Sequence, residues 1–427
     1  MEKIFIQLLL TFVTCNLFAQ RIVPAPAQSK PIIIRGGTVH VGNGQVIDNC
    51  TILIQDGKIV SLTTNDPNVA GDFISINAKG KQIYPGLIAP NTQLGLVEIE
   101  AARATNDQYE VGTYNPGVRS LIAYNTDSKA IPTVRSNGIL IAESVPLGGI
   151  ITGTSSIMQL DAWNWEDAAY KSDNAIHMNW PSFFSYKQDD NGAMVTNNAD
   201  YEKQVTEIRQ YFTQAQSYNQ LATHTARNIN FEAMKGVVDG SKKLVVHCDY
   251  VREIINAVQF AKDYNVKLVI MGGSDAYLCT DILKQNNVAV ILGNVHSLPN
   301  NDDDEVKMPY RTADLLNKAG ITYCLSIYGF WQTRNLPFMA GTTTVYGVSK
   351  EDALKSITSS TAKILGIDDR TGTLEAGKDA NIIISSGDIL DMMTSNIEHA
   401  FIQGREINLD NSQKQLYEIY KAKYGLK

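Results

Sequence analysis

The chain has 427 residues, a formal net charge of -7 and 44% hydrophobic residues. This length exceeds what one compact core usually holds, so we expect two domains or one large domain with a smaller satellite. The acidic balance, together with the lack of any prominent cluster of Lys and Arg, argues against nucleic acid as a partner, since phosphate backbones require a basic surface.

The first twenty residues have the layout of a secretory signal. Lys3 precedes an apolar run over residues 4–18, and the small residue Ala19 closes it. We predict a signal peptide over residues 1–19, cleaved after Ala19, and export to the periplasm or the medium. A retained membrane anchor is the alternative, but the run is shorter than the roughly 20 apolar residues that span a bilayer. Lipid attachment at Cys15 is a lesser alternative, because Thr14 is an unusual residue before a lipidated Cys.

Short strand-like runs occur near both ends of the mature chain. IIIRGGTVHV and TILIQDGKIVSL lie near the start, with Asp56 and Gly57 at a hairpin turn. TGTLEAGKDANIIIS and EHAFIQGREINL show the same pattern near the other end. We predict that residues 31–84 and 371–410 form one small β-sandwich domain, and that residues 411–427 form a polar C-terminal helix.

The chain between these segments, residues 85–370, alternates apolar strand-like runs with helix-like runs. The rhythm is clearest in the second half, where LVVHC, KLVIM, VAVIL and ITYCLS are each followed by a helical pattern. Such alternation is typical of parallel βα units and predicts an α/β fold with a (β/α)8 TIM-type barrel. In the first half, ILIAESVP and SSIMQL indicate strands, and residues 200–221 indicate a helix inserted after a polar, Asn-rich stretch.

Several segments resemble the amidohydrolase superfamily. YPGLIAPNTQLGL at 84–96 is similar to the segment that opens an amidohydrolase barrel, usually PGLID followed by HxH. TSSTAKILGIDDRTGTLEAGKDANIII at 358–384 resembles the return from that barrel to the sandwich. With LVVHC, LVIMGGSDAY and RNLPFMAG, the similarity covers nearly the whole mature chain and is closest to the exported imidazolonepropionase-like branch. The resemblance implies the fold of hydrolases that act on C–N bonds.

The resemblance also implies a metal centre at the carboxyl ends of the strands. In the family, two His on the first strand, one His each on the fifth and sixth, and an Asp on the eighth bind one or two divalent ions such as zinc. The corresponding positions in this sequence are Asn91, Gln93, His247, Gly272 and Tyr328. Only His247 is a good ligand, whereas catalytic zinc generally has three protein ligands. We therefore predict a degenerate metal centre and no cofactor.

A rebuilt site is the alternative at the same end of the barrel. Asp249 lies two residues after His247, and Asn294 and His296 follow the seventh strand, so His247, Asp249 and His296 could converge. We favour simpler roles, with Asp249 as a helix N-cap and His296 as a loop histidine bonded to backbone. Cys248 is expected to point away from the mouth and is not assigned as a nucleophile.

The remaining candidates carry no assigned role. The acidic run NDDDE at 301–305 is interpreted as a solvated surface, and the three tryptophans near the insertion as core residues rather than a pocket for a cyclic ligand. A single disulfide among three of the four remaining cysteines stays open. The tryptophans are Trp163, Trp165 and Trp180, and the cysteines that could pair are Cys248, Cys279 and Cys324, with Cys50 left over. Four histidines lie off the predicted strand ends and are given no role: His40, His177, His224 and His399.

Two functions compete. The first is a pseudoenzyme that keeps the pocket, has lost metal chemistry, and binds a small-molecule ligand or an intact amidohydrolase-like partner subunit. The second is a hydrolase of C–N bonds in cyclic amides or peptide-like compounds, with a mononuclear or metal-free site. In that case His247 is the ligand or general base, and Asn91, Gln93 and Tyr328 orient the substrate. The sequence favours the first.

Overall fold

A computed structural model describes residues 23–426, except 66, 68, 70, 190, 191, 301 and 302. The predicted signal peptide and Cys15 lie outside the described residues. Two large sheets make up most of the β structure, and a two-stranded hairpin is separate from both. The fold is mixed α/β, with a nearly closed eight-stranded barrel sheet and an additional β-rich domain.

The described strands, in chain order, are β1 Ile32–His40, β2 Val46–Gln55, β3 Lys58–Thr63, β4 Ile74–Asn77, β5 Gln82–Pro85, β6 Leu87–Thr92, β7 Ile139–Ser144, β8 Ile151–Gln159, β9 Ala169–Asn179, β10 Phe184–Asp189, β11 Gly192–Asn197, β12 Lys243–Cys248, β13 Lys267–Gly272, β14 Ala289–Leu292, β15 Tyr323–Leu325, β16 Ile382–Ser385, β17 Ile397–Ile402 and β18 Arg405–Glu406.

The described α-helices are α1 Ser120–Ala123, α2 Ala130–Arg135, α3 Trp165–Ala168, α4 Tyr201–Gln220, α5 Ile229–Ala233, α6 Lys235–Val238, α7 Val251–Tyr264, α8 Thr280–Gln285, α9 Met308–Ala319, α10 Leu336–Val345, α11 Lys350–Lys355, α12 Ser359–Leu365 and α13 Ser412–Lys423. Short 3-10 helices cover Arg103–Thr105, Ala276–Leu278 and Gln332–Asn335.

The smaller sheet draws strands from both ends of the chain. Its order is β18-β17-β16-β5-β1-β2-β3, and β4 also pairs with β1. The junction between the two ends is the antiparallel pair β5–β16, in which Ile83 lies opposite Ile384. Inward-facing aliphatic side chains such as Ile34, Ile52 and Ile382 are fully buried in one core. Alternating apolar residues fold this way because a strand presents every second side chain to the same face.

The barrel sheet has the order β6-β7-β8-β9-β12-β13-β14-β15. From β9 through β12, β13 and β14 to β15 each strand is parallel to the next, and β6 is parallel to β7. The first and last strands approach each other, since Ser326 Oγ donates to the carbonyl of Pro90 at 3.1 Å. The predicted TIM-type fold class is confirmed.

One barrel strand departs from the parallel pattern. Strand β8 is antiparallel to both β7 and β9. The connection from β7 to β8 is only residues 145–150, and it turns at Gly148 and Gly149, which both have positive φ. A parallel crossover needs about a dozen residues or more, so this link permits only an antiparallel return.

The insertion in the first half is a hairpin followed by a long helix. Strands β10 and β11 pair antiparallel from Phe184↔Asn197 to Asp189↔Gly192. Helix α4 then covers nearly the predicted 200–221 range, with Ile208 and Phe212 in the core. Trp180 is also buried, and its Nε1 donates to Tyr201 Oη at 3.1 Å, which confirms it as a core residue.

Other described features are simpler. Cys50, Cys248, Cys279 and Cys324 are all buried free thiols, so no bridge forms among them. Within the part of the chain that the structure covers, no helix is both long enough and apolar enough to cross a membrane. Helix α13 has no buried residue.

Candidate functional site at the barrel mouth

The end of β6 holds the first two predicted positions in an irregular backbone. Asn91 has φ +50°, and the pairing of β6 with β7 shifts register between Ala89 and Thr92. Asn tolerates this left-handed conformation better than most residues. The even alternation that would place Asn91 and Gln93 on one face is therefore broken. Both side chains are buried, and Asn91 Oδ1 has no hydrogen-bond partner among the described residues.

A buried carboxylate lies directly behind Asn91. Glu143, on β7, is fully buried and accepts hydrogen bonds from the Asn91 backbone N–H at 3.2 Å and from Ser155 Oγ at 2.8 Å. Its Oε1 lies 3.5 Å from Nε2 of His177 on β9. With its positive φ, Asn91 directs its backbone N–H toward the Glu143 carboxylate. The backbone conformation at Asn91 thus supplies a hydrogen-bond donor to the buried charge.

His177 connects this carboxylate to His247. His177 Nδ1 lies 3.0 Å from His247 Nε2, and His177 is fully buried. The prediction that His177 lies off the strand ends is wrong, because β9 extends to Asn179 and pairs in register with β12, which places His177 beside Val245. Glu143, His177 and His247 form a continuous chain from the barrel interior to its mouth.

The contacts between Glu143, His177 and His247 determine which ring nitrogens carry protons. Ionised Glu143 can only accept, which favours a proton on His177 Nε2. When His177 is neutral, its Nδ1 accepts from His247 Nε2–H, and His247 Nδ1 remains as an acceptor. That atom has no described protein partner, and the His247 side chain is partly exposed. The mouth of the barrel thus offers a fixed, neutral imidazole to a ligand.

The same contacts shift the acid–base properties of two groups. Burial alone would raise the pKa of Glu143, but His177, Ser155 and the Asn91 N–H together outweigh burial and hold that pKa below its usual range. Burial, followed by the charge that His177 can carry, lowers the pKa of His247 to about 3, with Glu143 opposing. His247 is therefore neutral at physiological pH and a weak base.

The sixth-strand position has been rebuilt around a glycine. Gly272 has φ +98°, and a Cβ there would lie 2.8 Å from Asp249 Oδ1 and 3.0 Å from the Cys248 carbonyl oxygen. Asp249 in turn accepts from Ser274 Oγ at 2.8 Å and Ser274 N at 3.2 Å. The interpretation of Asp249 as a helix N-cap is wrong, since Tyr250 holds that position before α7. No side chain fits at 272 without moving its neighbours.

Tyr328 closes this side of the mouth. It lies beyond β15, and a Cβ on Gly293 would be 3.5 Å from its hydroxyl oxygen and 3.7 Å from the Gly272 Cα. Burial and then the charge of Asp249 raise the pKa of Tyr328, although the residue remains 48% exposed. The phenol is thus a proton donor at neutral pH, where an ionised carboxylate would be needed as a base.

His296 lies apart from this group. Its Nε2 is 2.8 Å from Thr342 Oγ1, and it lines a different cavity with Phe338 and Leu390. Asn294 follows β14 and has a buried Oδ1 without a partner among the described residues. The structure therefore brings Asp249 together with Gly272 and Tyr328. Among the described residues, His247, Asp249 and His296 do not form a group that could hold a metal ion.

The donor atoms at the mouth do not fit a catalytic zinc. Amides, a glycine and a protonated phenol occupy four of the five corresponding positions. Glu143 contacts the far nitrogen of His177, so it cannot join the two facing imidazole nitrogens around one ion. Across the described residues, no group of three or more His, Cys, Asp or Glu side chains is arranged to hold a metal ion.

A match to a known family decides the wider assignment. The family model described as Amidohydrolase family matches residues 113–407. The chain belongs to the amidohydrolase family. No curated protein sequence matches it.

Solved amidohydrolase-family folds resemble the chain over most of its length. An amidohydrolase from Thermotoga maritima MSB8 is 22% identical with a TM-score of 0.75, and the match covers 88% of this chain and 99% of that one. A Xaa-Pro dipeptidase with bound methionine is 14% identical with a TM-score of 0.55, covering 88% and 100%. An adenosine deaminase from Xanthomonas campestris with bound zinc is 12% identical with a TM-score of 0.53, covering 93% and 98%. At these identities the likeness shows the fold alone.

The pKa of His247 predicts a pH-dependent stability. Between pH 6.5 and 4.5 the unfolded imidazole takes up a proton that the folded one does not, so His247 should destabilise the fold as pH falls, by up to about 1.4 kcal/mol per pH unit. Urea unfolding of wild type and His247→Gln over this window should show a steeper loss for wild type. The exposed His224→Gln is the control and should keep the wild-type slope; equal slopes for all three would contradict the prediction.

Gly272 predicts a steric cost beyond backbone strain. Gly272→Ala should lower the free energy of unfolding by roughly 2–4 kcal/mol, combining a positive φ with overpacking against Asp249. Gly377 is the matched control, because its φ of +89° is similar and nothing lies within 4 Å of its Cβ position. Chemical unfolding should show a clearly smaller loss for Gly377→Ala, and equal losses would refute the close contact at 272.

Proposed function

We propose that this protein is a ligand-binding pseudoenzyme of the amidohydrolase family with a degenerate metal centre. The observation that carries the proposal is the backbone at Gly272, where a left-handed φ and the Asp249–Ser274 hydrogen bonds leave no room for a side chain. If one point substitution at position 272 could restore a metal ligand, this would indicate that the metal centre was lost recently. Here the surroundings are fitted to the glycine, as expected of a mouth maintained for another purpose.

The proposed ligand is a small molecule with hydrogen-bond donors, held over the barrel mouth. Asn91 Oδ1 is buried without a partner, and the free Nδ1 of His247 is an acceptor when His177 is neutral. An unsatisfied buried acceptor costs roughly 1–3 kcal/mol, which a donor on the ligand would recover. Glu143 and His177 act as positioning residues, because they fix the ring of His247 without reaching the mouth.

The cellular setting is proposed from the sequence. The predicted signal peptide supports export, and the motifs quoted above support the imidazolonepropionase-like branch. Pairing with an intact amidohydrolase-like subunit is a second use of the same fold. In such a pair the partner subunit would catalyse the reaction, and the pocket of this chain would bind a ligand.

A C–N hydrolase is the second candidate, and the chain Glu143–His177–His247 favours it. Buried carboxylate–imidazole pairs orient a working imidazole in many enzymes. In this case His247 would accept a hydrogen bond from the substrate, and the Tyr328 phenol would donate one to the developing oxyanion. The Xaa-Pro dipeptidase among the similar structures suggests dipeptides ending in proline as test compounds.

Metal content and ligand transplantation test the proposal. The mature protein is dialysed against buffer and its zinc, iron and manganese are measured, together with hydrolysis of cyclic amides and Xaa-Pro dipeptides. We expect less than about 0.1 equivalent of metal, the level of adventitious binding, and no hydrolysis. The triple variant Asn91→His, Gln93→His, Tyr328→Asp should still hold no stoichiometric zinc, because the left-handed backbone at Asn91 breaks the alternation that would direct both new imidazoles to one ion with His247.

Adding Gly272→His to that triple variant should lower stability without improving zinc affinity, because of the close contact at 272. About one equivalent of metal in the wild-type protein, lost in His247→Ala, would overturn the pseudoenzyme. Turnover by metal-free protein that disappears in His247→Ala would favour the metal-free hydrolase instead.

A further inference from the structure

A second cavity lies at the opposite end of the barrel from the mouth. Its volume is about 440 Å³, within the range of small-molecule sites. The amino-terminal ends of β12, β13 and β14 line it, together with the carboxyl-terminal part of α7 and residues 363–364 of α12. None of the residues in the mouth site contributes to it.

Lysines dominate the charge of this cavity. Lys243, Lys262, Lys267 and Lys363 line it, and no carboxylate does. This is a local excess of positive charge on a chain whose net charge is -7. The floor is apolar, with Val258, Leu268 and Val288 among its members, and the amides of Asn265, Asn286 and Asn287 complete the wall.

Among the described residues, none of the four ammonium groups forms an ion pair with a carboxylate. Lys243 Nζ donates to the carbonyls of Lys363 at 3.2 Å and of Ile364 at 2.5 Å, near the end of α12, where cations are favoured. Lys262, Lys267 and Lys363 form no side-chain hydrogen bond or ion pair with any described residue.

Charges around Lys243 act in both directions. Burial lowers the pKa of Lys243, and Lys171 and Lys267 add to that shift, while Asp368 and the buried Glu143 oppose it. Lys171 Nζ donates to the Gly366 carbonyl at 2.9 Å. What favours a bound anion is the geometry, in which four ammonium groups line one cavity that has no carboxylate in its wall.

We propose that this cavity is a binding site for a small organic anion, with a phosphate or carboxylate head at the lysines and an apolar body on the valine and leucine floor. Lysine ammonium groups bind such heads as point charges. Lys262 and Lys267, at the exposed rim, contact the anionic head. The more buried Lys243 attracts it through its positive charge without direct contact. The site is separate from the barrel mouth and does not depend on the function proposed for that mouth.

Calorimetric titration of the mature protein tests the site with four probes: phenyl phosphate, benzoate, inorganic phosphate and the uncharged benzyl alcohol. We expect an aromatic anion to bind more tightly than inorganic phosphate and benzyl alcohol not to bind. Comparison of phenyl phosphate with benzoate identifies the preferred head. Raising NaCl from 20 to 500 mM should weaken binding roughly tenfold through screening of the rim lysines.

Two variants locate the binding. The double variant Lys262→Gln, Lys267→Gln should weaken the tighter aromatic anion by roughly tenfold or more, and Asn265→Asp, which adds a carboxylate with little change of shape, should also weaken it. The control Lys203→Gln, Lys235→Gln removes the same charge from exposed lysines elsewhere and should change affinity less than about twofold. The proposal is overturned if no anion binds at 1 mM, or if the control and the rim variant weaken binding equally.

Discussion

Glu143→Ala is expected to lower the free energy of unfolding by roughly 3–5 kcal/mol, among the largest effects of any single substitution in this chain. The carboxylate is fully buried, and its removal would leave the Asn91 N–H without its acceptor, break the 2.8 Å bond from Ser155 Oγ and take away the negative charge 3.5 Å from His177 Nε2. Urea unfolding at pH 7 measures the loss. Glu100→Ala, at an exposed position, is the control and should change stability by less than about 0.5 kcal/mol.

The conservative Glu143→Gln separates charge from packing. The amide keeps the volume but places a donor where only acceptors are needed, so we expect a smaller loss of roughly 1–3 kcal/mol. Because the carboxylate determines which nitrogen of His177 carries the proton, this variant should also change the nitrogen-15 shifts of the His177 and His247 rings. Unchanged shifts, or equal stability of Glu143→Ala and Glu100→Ala, would contradict the role of Glu143 as the anchor of this chain.

Asp161→Ala is expected to have a comparable effect, roughly 3–5 kcal/mol, at the contact between the barrel and the smaller sheet. Asp161 follows β8 and is 1% exposed at its side chain. It accepts from Arg135 Nη1 on α2, from Arg405 Nη1 on β18 at 2.9 Å and from the Ala25 N–H at 2.9 Å. Loss of the carboxylate would leave two guanidinium groups in a buried setting without their counter-charge.

The exposed ion pair Lys30–Asp72 provides the control for Asp161. Its side chains are 50% and 88% exposed, so Asp72→Ala should cost less than about 1 kcal/mol. Thermal unfolding followed by far-ultraviolet circular dichroism would compare the two variants directly. A loss at Asp161 no larger than that at Asp72 would show that the two guanidinium groups find other partners or water.

The candidate site could be predicted in part. The five positions at Asn91, Gln93, His247, Gly272 and Tyr328 followed from motifs, because each motif ends a strand and barrel sites lie at the carboxyl ends of strands. The remodelling at Gly272 could not be predicted, since glycine gives no indication of which neighbour occupies the space of its side chain. Asp249 was assigned as a helix cap on local spacing, but a bond to Ser274, 25 residues away, determines its position.

His177 and Glu143 show a different limit. Both are buried in the barrel: Glu143 lies in the run ILIAESVP, which indicates a strand, whereas the sequence pattern predicts no strand at His177. His177 lies 70 residues from His247 and 34 from Glu143 in the chain, and only the pairing of β9 with β12 brings the rings together. One usable signal was present: a Glu in the run ILIAESVP is costly to bury without a partner, which predicts a buried cation or donor nearby.

The sequence alone determined the fold class and the identity of the residues at the strand ends, because hydrophobic periodicity and short motifs are local properties. Only the tertiary structure decided the direction of β8, the left-handed backbone at Asn91 and Gly272, and the buried chain from Glu143 to His247. These features depend on which distant segments pack together inside the barrel. The atoms packed around a buried charge or a glycine determine whether that charge is stabilised and whether a side chain would fit.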